Sequence, residues 1–285
     1  MSGTTSELHL APRRVHALGL TYRDHAAETG EPIRKEGPVV FERDPGSLLT
    51  SGDVLPIPSR TAILQSLERL EAGLGMQLLA RHPEVPVLLD YEVELGVLLL
   101  EDVPVVRLDD PSFRPPLGLF LANDITVRTV QILGEDSPAR MTFWAAAKSF
   151  ARTWLVGPVL WIPETDAFEI PLSLTVNGAV RQRSSTRELL YTPREVLGFV
   201  ARSTGAERLA AGDVILTGTP GGIALSVPRW QRAVADRVLS RFGKLSAAAR
   251  KARRPGSRFL RDGDVLEMDG GPLGHRRVTV TAGAP

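Results

Sequence analysis

The stretch Val87-Leu88-Leu89-Asp90-Tyr91-Glu92-Val93-Glu94-Leu95-Gly96-Val97-Leu98-Leu99-Leu100 decides how the chain is read. It has the Val and Leu content of a strand, and a strand sends alternate side chains to opposite faces. Asp90, Glu92 and Glu94 therefore share one face, and Tyr91, Val93 and Leu95 the other. A half-exposed strand with a solvated polar face explains such a row as well as a site does, so the row alone assigns nothing. Outward from it, residues 117–122, 156–162, 172–176, 213–216, 265–268 and 277–281 are short Val-, Ile- and Leu-rich runs bounded by Gly, Pro, Asn or Asp. They read as further strands, and the chain as an α+β fold that is mostly β, with few helices. Asn177-Gly178, between two strand-like runs, favours positive φ at both positions and hence a tight hairpin.

Helical periodicity is confined to three segments: 62–79, where Leu64, Leu67, Leu70, Leu74 and Leu78 recur at three- and four-residue steps; 193–203, with Thr192 as N-cap before a proline; and 229–252. The third is basic. Residues 229–258 hold ten Lys or Arg against one acid, Asp236, and Trp230, Val234, Val238, Phe242 and Leu245 form an apolar stripe at i, i+4. Such a segment suits either an anionic partner or docking by its stripe with a solvated basic face. Docking is the expectation, and a nucleic-acid partner is not expected.

A chain of 285 residues with 43% hydrophobic content can bury a sizeable core. No fixed-period repeat divides it, so one domain is expected. The absence of cysteine excludes disulfides, thiolate nucleophiles, zinc-thiolate sites and iron-sulfur clusters, leaving oxygen or histidine as the ligands for any metal. A net charge of +1 excludes a histone-like or acidic-tail protein. The longest aliphatic run, 95–100, is far below the roughly 20 residues that span a bilayer, and no membrane partner is expected. MSGTTSELHLAPRR (1–14) lacks the charged start and apolar stretch of a secretory signal, so the expected location is cytoplasmic.

The phosphate-loop, zincin, nucleophile-elbow and dinucleotide fingerprints are missing. A second acid changes the reading of the carboxylate row. Leu119-Phe120-Leu121-Ala122-Asn123-Asp124 reads as an apolar strand ending in a carboxylate, and two adjacent strands would bring Glu92, Glu94 and Asp124 together. Packed carboxylates repel, so that without a cation at least one takes up a proton. Mg²⁺ or Mn²⁺ converts the repulsion into octahedral oxygen ligation, and three carboxylates leave positions for water and a chelating substrate. Upstream, Thr21-Tyr22-Arg23-Asp24-His25-Ala26-Ala27-Glu28-Thr29-Gly30 reads as a short helical turn stopped by glycine, with His25 and Glu28 on one face. A carboxylate beside an imidazole fixes its tautomer and supports it as a general base, although such pairs also occur as surface salt links.

Together these motifs resemble the fumarylacetoacetate hydrolase family. The resemblance rests on Leu18-Gly19-Leu20-Thr21-Tyr22-Arg23-Asp24-His25-Ala26-Ala27-Glu28, Asp90-Tyr91-Glu92-Val93-Glu94-Leu95, Ala122-Asn123-Asp124 with Arg128 and Gln131, Lys148-Ser149-Phe150, Val176-Asn177-Gly178 and 212–222, in the family's order. It runs from about Val15 to Val280, closing on Arg258-Phe259-Leu260 and Gly263-Asp264-Val265. It implies a mixed β-roll of layered sheets: a short extension over 1–14, then one catalytic domain over 15–285, with helical insertions at about 61–86 and 225–257. It also implies a homodimer.

By the same resemblance Glu92, Glu94 and Asp124 hold Mg²⁺, or Mn²⁺ or Ca²⁺. His25 and Glu28 sit on a lid and activate water, Lys148 reaches substrate oxygens, and Arg128, Gln131 and Thr219 contact substrate. The implied substrate is a small 2-oxo or 1,3-dicarbonyl acid of the acylpyruvate or fumarylacetoacetate type. Cleaving its carbon–carbon bond leaves an enolate, which the metal and Lys148 stabilise. An oxaloacetate decarboxylase or hydroxymuconate-type isomerase would use nearly the same residues, and a non-catalytic relative would use the basic helix as a binding arm. Three positions depart from the family: Thr21 stands for a common asparagine, Thr129 for a frequent aspartate, and Phe41-Glu42-Arg43-Asp44-Pro45 for a stretch that usually carries lysine.

Overall fold

The computed structural model describes residues 2–29, 37–49, 52–165, 168–227 and 229–282, with backbone only at 229, 230 and 232. Helix and strand take nearly equal shares, 32% and 31%, so the class is α+β. The larger of two mixed sheets runs in the order Gly3–Glu7, Val159–Pro163, Leu117–Asp124, Val93–Leu99, Val214–Leu216, Val15–Gly19 and Val39–Arg43, and Trp154–Val156 also pairs with Leu117–Asp124. The second runs Ala179–Ser185, Pro171–Val176, Val265–Asp269, His275–Ala282 and Val54–Ile57. Among the described residues each sheet contains one parallel pair, Val214–Leu216 with Val15–Gly19 and His275–Ala282 with Val54–Ile57.

The two-residue period of the strands divides the core. Leu119 and Leu121, with Val93, Leu95 and Val97, belong to the main cluster with Leu172, Leu174 and Val176 of the second sheet. Phe120 and Ala122 point the other way, into a second cluster with Val15, Ala17, Phe41, Trp154 and Val214. The sheets pack through the first cluster, while the second lies under the helix Arg140–Lys148, from which Met141 and Trp144 cover it.

The hairpin forms as expected, with φ +52 at Asn177 and +75 at Gly178. The helix Pro193–Thr204 starts at Thr192 in a full capping box with Glu195. Four expectations are corrected. Residues 87–100 form two strands, Leu89–Asp90 and Val93–Leu99, and 156–162 divides between Trp154–Val156 and Val159–Pro163. The 62–79 periodicity belongs to two helices, Arg60–Leu70 and Leu74–Arg81, separated where Gly73 takes φ +79. The basic segment likewise forms Arg229–Val238 and Arg241–Arg253, because Ser240 caps the second helix by accepting from the Gly243 amide.

The stripe expected along that segment is therefore broken. Leu245 is buried, while Val234 is 56% and Val238 74% exposed; the Trp230 side chain is outside the described set. Three of the basic residues meet acids of the body: Arg241 forks onto Glu71, Lys244 meets Glu135 and Asp136, and Arg253 meets Glu84.

Candidate active site

Strand register brings the three carboxylates together. Glu94 lies opposite Ala122, and the Asp124 amide donates to the Glu92 carbonyl at 2.8 Å. The face that carries Phe120 and Ala122 thus ends in Asp124, with Glu92 and Glu94 beside it. One oxygen of each lies within 4.8 Å of the others, and all three residues are buried. The Gly218 amide holds Glu94 Oε2 at 2.9 Å. Gly218 has φ +87, and a Cβ there would lie 2.5 Å from Thr21 Oγ1, so the close approach needs glycine. Asp90 turns away from the cluster: it accepts from the amides of Ala224 and Leu225 at 2.8 and 3.0 Å and from Arg128 Nε at 2.8 Å, pinning the segment after Gly218.

Among the described residues, three cations face the cluster. Arg128 Nη2 donates to Glu92 Oε1 at 2.5 Å. Lys148 Nζ bridges Glu92 Oε2 at 2.5 Å and Asp124 Oδ2 at 2.6 Å, and reaches Thr126 Oγ1 at 3.0 Å. Arg43 Nη1 pairs with Asp124 Oδ1. Burial works to raise the Glu92 carboxyl, but Lys148 and Arg128 overcome it and hold it at about 2. At Glu94 burial prevails, only partly offset by Lys148, and pushes the carboxyl up to about 8. Three hard oxygen donors around one point, one with its charge insufficiently compensated, fit a divalent cation of the Mg²⁺, Mn²⁺ or Ca²⁺ kind.

His25, on the short helix Arg23–Thr29, lines the same cavity of about 120 Å³ as Glu92, Arg128, Gln131, Lys148 and Thr219. Burial lowers its pKa below the ordinary 6.5, against the pull of Glu92, so the imidazole is neutral at pH 7. Glu28 acts on it by charge, and its own Oε2 accepts from the Gly222 amide at 2.7 Å. At Gly222, φ is +101 and a Cβ would lie 2.3 Å from the Arg181 carbonyl. Asp24 accepts from Ser184 Oγ at 3.1 Å, so the helix is tied to the second sheet as well. Gly30, expected to stop this helix, lies outside the described residues. Gln131 Oε1 accepts from Arg128 Nη1 at 2.5 Å. The Thr219 hydroxyl lines the cavity but is engaged with the frame, donating to the Val93 carbonyl at 3.1 Å and accepting from Gln182 Nε2 at 2.8 Å.

A model of the family described as fumarylacetoacetate (FAA) hydrolase C-terminal matches residues 14–281. The chain belongs to the fumarylacetoacetate hydrolase family. Similar proteins divide among several reactions of this family. The chain is 26% identical over 270 residues to a 2,4-didehydro-3-deoxy-L-rhamnonate hydrolase of Sphingomonas sp., covering 94% of this chain and 73% of that one. It is 28% identical over 216 residues to an oxaloacetate tautomerase of Bacillus subtilis, covering 74% and 60%. Its fold resembles that of a fumarylpyruvate hydrolase from Pseudomonas aeruginosa solved with Mn²⁺ and pyruvate, with a TM-score of 0.64, 21% identity and coverage of 97% and 93%.

Within this hydrolase-family fold, His25, Glu92, Arg128, Gln131, Lys148 and Thr219 of the expected site residues line the cavity, while the residues that hold the carboxylates in place were missed. Arg43, noted only as a departure from lysine, is buried, donates from Nε to Ser47 Oγ at 2.9 Å and reaches Thr153 Oγ1 at 3.3 Å. Its only sequence signal is an arginine at the end of a Val-Val-Phe strand before Asp-Pro. Asp90 stood out only as part of the carboxylate row, with nothing to show that it would pin the segment after Gly218, and Gln182 gave no signal. Because removing Arg43 leaves buried Asp124 with Lys148 as its remaining cationic partner among the described residues, Arg43→Ala is expected to cost about 3 kcal/mol, the low end for breaking a buried ion pair, in denaturant unfolding. Arg43→Lys should recover part of it. A cost below about 1 kcal/mol for Arg43→Ala would show that Asp124 does not depend on this contact.

Proposed function

We propose that this family member is a metal-dependent hydrolase that cleaves a carbon–carbon bond in a 2-oxo or 1,3-dicarbonyl acid of the acylpyruvate or fumarylacetoacetate type. The observation that carries the proposal is that His25, Lys148 and Glu92 line one cavity, with Glu94 and Asp124 grouped behind Glu92 and Lys148 bridging Glu92 to Asp124. Glu92, Glu94 and Asp124 would hold the cation, Mg²⁺ being the expected one, and the cation would supply Lewis-acid stabilisation of a developing enolate charge. Neutral His25, with Glu28 opposing the loss of basicity that burial causes, takes a proton from water as the oxygen attacks the distal carbonyl. The carbon–carbon bond breaks, its electron pair passes into the enolate of the departing 2-oxo acid, and Arg128 and Lys148 supply positive charge at that end. A proton then returns to the enolate carbon. By family resemblance the protein acts as a homodimer in the cytoplasm; among the described residues no helix is long and apolar enough to cross a membrane.

The similarity to an oxaloacetate tautomerase favours one second reading, in which the enolate is formed and reprotonated without water attack. Turnover of acetylpyruvate in ¹⁸O-water separates the two. Hydrolysis places one ¹⁸O in the acetate released and yields an equal amount of pyruvate; tautomerisation releases neither product.

A further inference from the structure

The wall of the cavity around Glu92 and Lys148 continues along the helix Arg128–Leu133. Arg128 stands at the carboxylates, and Ile132 follows one turn on, about 6 Å further along the axis. Ile132, Glu135 and Leu225 also line a second cavity of about 400 Å³, so the two adjoin across these three side chains. The far side of the second cavity is the helical insertion, which contributes Ala235, Leu239, Ala247 and Ala248. Both lysines at this place are engaged with the protein itself. Lys244 is held by Asp136 and Asp236 at 2.9 Å each and by Glu135 at 3.7 Å, and Lys251 Nζ donates to the Ser226 carbonyl at 2.6 Å. What remains for a ligand is mainly the apolar surface of Ile132, Leu225, Val227 and Leu239, with alanines on both insertion helices leaving the room and the exposed Gln231 and Arg254 at its edge.

Apolar concavity next to a polar reaction site is how a substrate tail is accommodated. We propose that the helical insertion forms a subsite for the substrate's distal acyl arm, so that this chain selects 2-oxo acids with long apolar arms over short ones. The inference rests on the site's reading as one for 2-oxo acids. Its position between the insertion and the Arg128 helix makes the preference a property of the insertion rather than of the carboxylate cluster.

Simple 2-oxo acids lack the second carbonyl needed for hydrolysis, so 2-oxobutanoate and 2-oxodecanoate serve as binding probes in calorimetric titrations of the full chain with Mn²⁺. Each methylene moved out of water is worth a factor of roughly four in affinity. Burying about half of the six added methylenes predicts at least roughly 30-fold tighter binding of 2-oxodecanoate. Ala248→Trp, which fills the second cavity, should reduce that ratio at least tenfold; Ala235→Trp, at a half-buried position on the other insertion helix, should do the same if the first variant does not fold. Equal affinities in the unmodified protein, or a ratio unmoved in a folded filled variant, overturn the subsite. Acetylpyruvate hydrolysis without a length preference would sink the subsite and leave the proposed reaction standing. A length preference without hydrolysis of any acylpyruvate would do the reverse.

Discussion

Replacing Glu94 by glutamine is expected to abolish Mn²⁺ binding and turnover together while leaving the protein folded. The substitution keeps the shape of the side chain and removes one of three anionic donors. Loss of outer-shell partners alone commonly costs 10- to 100-fold in metal affinity, so loss of a ligand should cost at least about 100-fold, with turnover falling below detection. The folded protein has little to lose otherwise. Burial pushes the Glu94 carboxyl up to about 8, which means that its charged form is a cost to the metal-free chain. Glutamine should therefore leave the thermal midpoint in EDTA unchanged or higher, even though the Gly218 amide needs the side-chain oxygen as its acceptor. Calorimetric titration with Mn²⁺ and a thermal melt check the two halves. Normal metal affinity in Glu94→Gln would remove Glu94 from the ligand set.

His25→Gln should separate chemistry from metal binding. A positioned base contributes roughly 10² to 10⁴ in rate, so kcat is expected to fall by that factor with Mn²⁺ affinity unchanged. The pH profile carries the sign of the argument. A base works in its neutral form, and burial lowers the His25 pKa below 6.5; activity should therefore be full at neutral pH and lost as pH falls through a midpoint below 6.5. Glu28 raises the His25 pKa, so Glu28→Gln should move that midpoint further down. An acid limb centred above 6.5, or one that survives in His25→Gln, would assign the base to another group.

What could be read from residues alone follows how local the causes are. Asn177-Gly178 and Thr192-Pro193 act within four residues, and both appear as expected. The apolar run Leu119 to Ala122 was legible as a strand ending in the Asp124 carboxylate, while its two buried faces and its register beside Glu94 come from pairing with a strand more than twenty residues away. The helical segments were overextended for a physical reason. Leu70, Leu74 and Leu78 keep their spacing across Gly73 because two short helices present one stripe to the same core. The helices Arg128–Leu133 and Arg140–Lys148, which carry Gln131 and Lys148 to the cavity, escaped because the first is too short for periodicity to register. The second begins without a side-chain cap. Arg43 and Asp90 owe their roles to partners 81 and 134 residues away, Asp124 and Ala224, a distance no local pattern encodes.

The most direct test of the central claim follows the enol absorbance of acetylpyruvate and octanoylpyruvate with the protein in Mn²⁺ and in EDTA, with pyruvate and the released acid quantified at the end. Metal-dependent hydrolysis predicts loss of absorbance in Mn²⁺, none above background in EDTA, and pyruvate and acid in equal amounts. Absorbance loss that persists in EDTA, or that yields no pyruvate, would contradict it.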